Sequence, residues 1–316
     1  MARAFASLAD TSEKKITFSR LSEHAYAFTA EGDPNTGIVV GDDAVMVIDT
    51  QATPRMAQAV IERVRSVTDK PIRYVVLSSY HAVRVLGASA YDAQHIVCSE
   101  ATRELIVERG AQDYKSEVQR LPRLFQAAET IPGLTWPTIT FSDRLSIWLG
   151  KLQVDVIQAG RGHTKGDTVV WLPGERTLFS GDLVESGATP YGGDAHYKDW
   201  PQTLQRLREL RPLALLPGRG EALIGEEAVE QGIAGTRTFL HDLYTMVSAS
   251  AEAGDSLKDA YDKAMAALQP RYGRWVIFEH CLPFNVSRAY DEAKGLDHPR
   301  IWTAERDLEL WAALES

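Results

Sequence analysis

The segment Ile72–Leu77, apolar except for Arg73, stops abruptly at the polar cluster Ser78-Ser79-Tyr80-His81. A short run of this kind reads as a buried strand, and the polar end of such a strand is where α/β folds expose chemistry. The pattern recurs along the chain. Ala44–Ile48 leads into Asp49-Thr50, the segment Thr168–Leu183 carries Ser180-Gly181-Asp182, and Leu213–Leu216 halts at Pro217-Gly218-Arg219-Gly220. A loop at a strand end can present a side chain to a cleft without burying an unpaired group. The fold must therefore carry several strand ends that can converge.

The order of elements narrows the class. From about Ile16 to Thr50 the chain reads as short β segments, with alternation in His24–Glu31 and a turn at Gly41-Asp42-Asp43. Pro54 followed by Met56, Val60, Val64 and Val67 predicts a helix. Ile96–Cys98 reads as a strand and 101–128 as helical material broken near Pro122, while 137–158 and 168–183 each read as a β-hairpin. Asp199–Leu210 restores helical spacing. Beyond Ile224 the chain is mostly helical, with breaks expected near Gly254, Pro270, Pro283 and Pro299. Strands, then helix–strand alternation, then helices fit two packed sheets with helices outside. The expected division is an N-terminal tail over 1–15, an α/β sandwich over 16–223 and a helical extension over 224–316 packed on the same domain.

Composition excludes several functions. Across 316 residues, 44% hydrophobic and 24% charged side chains are enough to build a sizeable core. Forty-three acidic against 34 basic residues give a net charge of −9, the wrong sign for binding nucleic acid or an anionic membrane surface. No run approaches the roughly 18–20 apolar residues that span a bilayer. Met1–Lys15 lacks the apolar stretch of a secretory signal, so the expectation is a cytoplasmic protein. Only two cysteines occur, Cys98 and Cys281, which argues against a disulfide framework or a thiolate zinc site.

Three strand-end segments offer metal ligands: His81, His163 and Asp182. Two imidazoles and a carboxylate suffice for one Zn²⁺ or Fe²⁺ with positions open for water. Asp49 is expected to orient His81 or its loop rather than to ligate, because ligating imidazoles need their other nitrogen held. Thr50 and Thr164 read as turn or capping groups. The segment Tyr191–Tyr197, with His196, reads as a loop over the cleft, or His196 as a surface residue. His280, beside Trp275, Glu279 and Cys281, is a candidate to replace a missing ligand. Helical spacing of Val229 with Ile233, and of Phe239 with Leu243 and Val247, predicts core-facing stripes; a homodimer is open.

Taken in order, these segments resemble the metallo-β-lactamase superfamily. Val47-Ile48-Asp49-Thr50 is similar to its first motif, and Ser79-Tyr80-His81-Ala82-Val83-Arg84 stands where the family carries HxHxDH. His163 with Thr164 and Gly166 is similar to the third motif, Ser180-Gly181-Asp182 to the bridging-aspartate motif, and Pro217-Gly218-Arg219-Gly220 to PGHG. The resemblance covers roughly Gly37 to Gly220 and implies an αββα sandwich of two mixed β-sheets. It also implies a departure. Of the two-metal ligand set, His81, His163 and Asp182 remain, while Ser79, Val83, Arg84 and Arg219 occupy the other four positions. Val83 cannot coordinate and a guanidinium stays protonated. The implied protein is a hydrolase of a small, anionic substrate with at most one metal ion, with Asp182, Arg84 and Arg219 as catalytic groups. In it Arg84, Arg219, Tyr80 and His196 contact substrate, and the two arginines supply the charge of the second metal. The competing expectation is a metal-free or non-catalytic anion-binding protein on the same fold.

Overall fold

The computed structural model describes residues 5–315. Its first sheet runs in chain order through β1 (Ile16–Arg20), β2 (Ala25–Ala30), β3 (Thr36–Val40), β4 (Val45–Ile48), β5 (Ile72–Val76), β6 (His95–Ser99) and β7 (Ile139–Phe141). β1 to β4 are antiparallel, and β4 to β7 are parallel. The second sheet holds β8 (Arg144–Leu149), β9 (Leu152–Gln158), β10 (Thr168–Leu172), β11 (Thr177–Gly181), β12 (Ala214–Pro217) and β13 (Leu223–Ile224), antiparallel except for the parallel pair β11–β12.

Strand alternation explains the layers, because successive side chains point to opposite faces. Met46 and Ile48 of β4 join Val154, Val156, Val170, Phe179 and Leu216 in the core between the sheets. Their neighbours Val45 and Val47 instead meet α1 (Pro54–Arg65) and α3 (Glu100–Arg120) on the outer face of the first sheet. Val169, Trp171, Leu178 and Leu215 turn the other way, onto α4 (Trp200–Glu209), α5 (Glu226–Ala253), α6 (Leu257–Tyr272) and α7 (Phe278–Ala293). The result is an αββα sandwich of two mixed sheets, with a helical region, α5 to α8 (Ala304–Glu315), at its C-terminal end. Each fully buried Val, Leu or Ile in these layers contributes about 1.5–3 kcal/mol.

Local signals set the helix boundaries. Thr53 caps α1, its Oγ1 accepting from Met56 N at 3.2 Å, with Pro54 in the first turn. α3 ends at Arg120, just before Leu121-Pro122, because the residue preceding a proline disfavours helical geometry. Two expectations need correction. Segment 137–158 is not one hairpin: β7 pairs in parallel with β6 in the first sheet, and only β8–β9 form the hairpin. Pro270 and Pro283 lie inside α6 and α7 rather than between helices, since apolar residues on both sides of each proline are buried in the same core. Val229, Ile233, Phe239, Leu243 and Val247 all face that core. Among the described residues, no helix is long and apolar enough to cross a membrane.

Parallel pairing positions the chemistry. β4 and β5 end side by side, as do β11 and β12, so Asp49, Ser78–His81, Asp182 and Gly218-Arg219 emerge at the strand ends. The β9–β10 loop adds His163 to them.

Candidate metal centre

His81 is the N-cap of the short helix α2 (Ala82–Val85), and buried hydrogen bonds fix its backbone. The free N–H groups at the start of that helix need acceptors. Ala82 N donates to Asp113 Oδ2 and Val83 N to Glu117 Oε2, each at 2.7 Å. Both carboxylates come from α3. Burial, with Glu117 beside it, pushes the Asp113 carboxyl well above its ordinary range. Upstream, Asp49 accepts from Ser78 N at 2.9 Å and from Ser78 Oγ at 2.7 Å. Burial raises the Asp49 pKa to about 6, against the pull of Arg84.

The His81 ring is held by Asp194, whose Oδ2 lies 3.2 Å from Nε2. Tyr80 Oη donates to the same oxygen at 2.7 Å and Arg109 Nη1 to Oδ1 at 2.8 Å. Burial opposes ionisation of Asp194, but His81, Arg109 and Tyr80 together keep its carboxyl well below the usual range. With Nε2 taken, His81 Nδ1 is buried and has no partner among the described residues.

His163 sits in a loop organised by Asp167. Thr164 N and Thr164 Oγ1 donate to that carboxylate at 2.9 and 2.8 Å, and His163 Nδ1 approaches it at 3.4 Å. His163 Nε2 is left 3.8 Å from Asp182 Oδ2, and the two imidazole rings stand 4.7 Å apart between centroids.

Asp182 follows β11 and is gripped by Arg84. Arg84 Nε donates to Asp182 Oδ2 at 3.0 Å, and Nη2 donates to Oδ1. The remaining guanidinium N–H groups reach the carbonyls of Asn35 at 3.2 Å and Gly218 at 2.8 Å. Arg219 Nη1 is 3.5 Å from both Asp182 Oδ1 and Glu185 Oε1, and Glu185 also accepts from Arg219 N. Burial would raise the Asp182 pKa, yet Arg84, His163 and Arg219 hold it far below the carboxylate range. Gly218 is required here: a Cβ would lie 2.4 Å from Asp182 Oδ1 and 2.8 Å from Arg84 Nη2.

Donor atoms of His81, His163 and Asp182 all lie within 4.8 Å of one another, and all three residues are buried. This set fits one divalent ion, because an unpartnered buried imidazole nitrogen, an oriented second imidazole and an ionised carboxylate supply three ligands. Arg84 donates to both oxygens of Asp182, and Ser79 and Val83 provide no charged donor.

A cavity of about 50 Å³ adjoins this group, and His81, His163, Asp182, Arg219 and Tyr191 line it. Other expected residues lie elsewhere. Arg84 is fully buried behind Asp182 and does not reach the cavity wall. Tyr80 is turned onto Asp194, and Thr164 onto Asp167. His196 is buried rather than on the surface and is absent from the cavity lining; burial, then Arg161 and Arg288, push its pKa down to about 4. His280 lines the cavity but is not one of the three grouped donors. Sequence reasoning missed Asp167, Asp194, Glu185, Asp113 and Glu117 as orienting groups.

Sandwich and strand-end cluster together define a scaffold of the metallohydrolase kind. The chain belongs to the metallo-beta-lactamase superfamily, whose family model matches residues 29–219. It is 25% identical over 236 residues to a metallo-beta-lactamase type 2 of Pseudomonas aeruginosa, covering 70% of this chain and 86% of that protein. It is 23% identical over 220 residues to the type 2 enzyme of Bacillus cereus, covering 65% and 77%. A linear primary-alkylsulfatase of Pseudomonas sp. is 21% identical over 246 residues, 65% of this chain but only 45% of that protein. Among solved structures, the metallo-beta-lactamase from Pontibacter korlensis superposes with a TM-score of 0.57 at 21% identity, over 72% of this chain and 99% of that one. A double mutant of the sec-alkyl sulfatase PisA1 superposes with a TM-score of 0.71 at 16% identity, over 89% of this chain and 50% of that one. That share is too large to stop at the sandwich, so the likeness of fold extends into the helical region.

Proposed function

We propose that this protein is a hydrolase of a small anionic substrate that works with a single divalent metal ion, with arginine charge standing where a second ion would be. The observation that carries the reading is the meeting of His81, His163 and Asp182 beside a cavity, with Arg84 bound to both carboxylate oxygens of Asp182. When bound, a zinc or iron ion would lower the pKa of a water and polarise the electrophile.

The chain's own residues do the rest. Asp194 and Asp167 orient the two imidazoles, so little reorganisation accompanies binding. Arg84 keeps Asp182 ionised and fixed, which makes Asp182 a ligand rather than a proton acceptor. Arg219 lines the cavity and is the cation placed to stabilise charge developing on a substrate oxygen. The alkylsulfatase among the relatives supports an anionic substrate. Two buried free thiols support a cytoplasmic setting.

The test is hydrolysis of a panel of anionic sulfate esters, thioesters and lactones by zinc-loaded protein, with H163A as control. Turnover lost in H163A supports the reading. Anion binding without turnover of any member supports the non-catalytic alternative and overturns it.

A further inference from the structure

In the wall of the same cavity, Tyr191 contacts both the His81 imidazole and a buried cation the hydrolase reading does not use. The Tyr191 ring lies 5.5 Å from that of His81 and 5.5 Å from the guanidinium carbon of Arg120. Arg120 comes from the last turn of α3, is 1% exposed, and stacks on Phe284 at 4.5 Å. Its Nε edge is satisfied: it donates to Ser116 Oγ at 3.0 Å and lies 3.3 Å from Asp307 Oδ2. The other end is not. Nη1 has only His280 Nε2 at 3.4 Å, and Nη2 has no partner among the described residues.

His280 completes the picture. Burial, then Arg120 and Arg219, push its pKa well below the ordinary value, so the ring is neutral. Since Nε2 faces an Arg120 N–H, Nε2 is the acceptor and Nδ1 carries the proton. That Nδ1 is also buried and unpartnered among the described residues. Both residues line the cavity. Two adjoining residues thus present buried donors without acceptors, an arrangement that costs about 1–3 kcal/mol for each group unless something accepts from it. The acidic groups lining the cavity have other donors: Glu117 accepts from Val83 N, Asp182 from Arg84, Asp33 and Asp10 from Arg123 and Glu31 from Lys15 N, while Asp307 balances Arg120 at its Nε edge. A volume of about 50 Å³ holds a few water-sized groups, enough for one compact oxyanion.

We propose that Arg120 and His280 form the anion subsite of this cavity, accepting one compact oxyanion of the substrate, a carboxylate or a sulfate or phosphate group, while the reacting bond extends past Tyr191 toward His81, His163 and Asp182. The second half rests on the hydrolase reading; the subsite itself does not. Guanidinium and imidazole N–H donors give the oxyanion charge-assisted hydrogen bonds in a water-poor wall.

The experiment is calorimetric titration of metal-free protein with acetate, sulfate and inorganic phosphate separately, so that the tightest binder identifies the oxyanion class. Variants are H280F and R120Q/D307N, which removes the buried pair together. Expected is one site per chain, weakened at least tenfold in R120Q/D307N and several-fold in H280F. Circular dichroism and unfolding midpoints confirm folding, and H280F decides the matter if the double variant does not fold. No binding to the parent, or binding that ignores H280F, overturns the subsite. Binding that follows Arg120 and His280 in a protein that hydrolyses nothing overturns the hydrolase reading alone.

Discussion

Arg84 holds both carboxylate oxygens of Asp182, through Nε at 3.0 Å to Oδ2 and through Nη2 to Oδ1, and neither residue has more than a trace of solvent exposure. The pair couples stability to the candidate metal centre. Removing one partner of a buried ion pair leaves an uncompensated charge and costs about 3–5 kcal/mol. Arg84→Met should therefore lower the urea unfolding free energy by about that amount, whereas Arg84→Met with Asp182→Leu should recover most of the loss. A cost below about 1 kcal/mol for Arg84→Met would show that the pair is not coupled as the geometry requires.

The carboxylates behind the imidazoles should tune metal affinity. Asp167→Ala frees His163 Nδ1 and unties Thr164, and Asp194→Asn weakens the hold on His81 Nε2. Each change is expected to weaken zinc binding about 10- to 100-fold, read by competition with a chromophoric chelator. Equal affinity in parent and variants would mean that these carboxylates only stabilise their loops.

Asp49 predicts a pH dependence of opposite sign to an ordinary ion-paired carboxylate. Its pKa is about 6 in the folded chain, against an ordinary 3.8, with burial the main cause and Arg84 opposing it. Between these values the folded state retains a proton that the unfolded state has released, so stability falls as pH rises from about 4 to 6, by up to about 3 kcal/mol. Asp49→Asn removes this loss. Urea unfolding at pH 4 and pH 7 should show the variant gaining on the parent at the higher pH, and a constant difference would refute the assignment.

Gly218 is a steric test of the same site. Gly218→Ala puts a methyl group 2.4 Å from Asp182 Oδ1, so the Arg84–Asp182 contact must open. The expected outcome is a loss of about 1–3 kcal/mol together with weakened zinc binding. Loss of stability with zinc affinity intact would separate Asp182 from the ion.

Strands buried on both faces give apolar runs, which is why Val45–Ile48 was legible in the sequence; Ile72–Val76, partly buried at Arg73 and Tyr74, was legible from the apolar residues around them. The sheet that a strand joins is decided by distant partners, which is why β7 could not be separated from the β8–β9 hairpin. Prolines 270 and 283 misled because tertiary burial outweighs local helix preference. Asp167 carries a local signal, an acid four residues after His163 in a Gly- and Thr-containing loop, and could have been found. Asp194 stands 113 residues from His81, and His280 stands 160 from Arg120, so nothing short of the fold brings those pairs together.

The most direct test of the account is zinc stoichiometry. Chelated protein is dialysed against excess zinc and analysed by inductively coupled plasma mass spectrometry, alongside His81→Ala and His163→Ala. One zinc per chain in the parent, lost in both variants, is the predicted result. Two zinc ions per chain would contradict the replacement of a metal by Arg84, and none would contradict the metal centre itself.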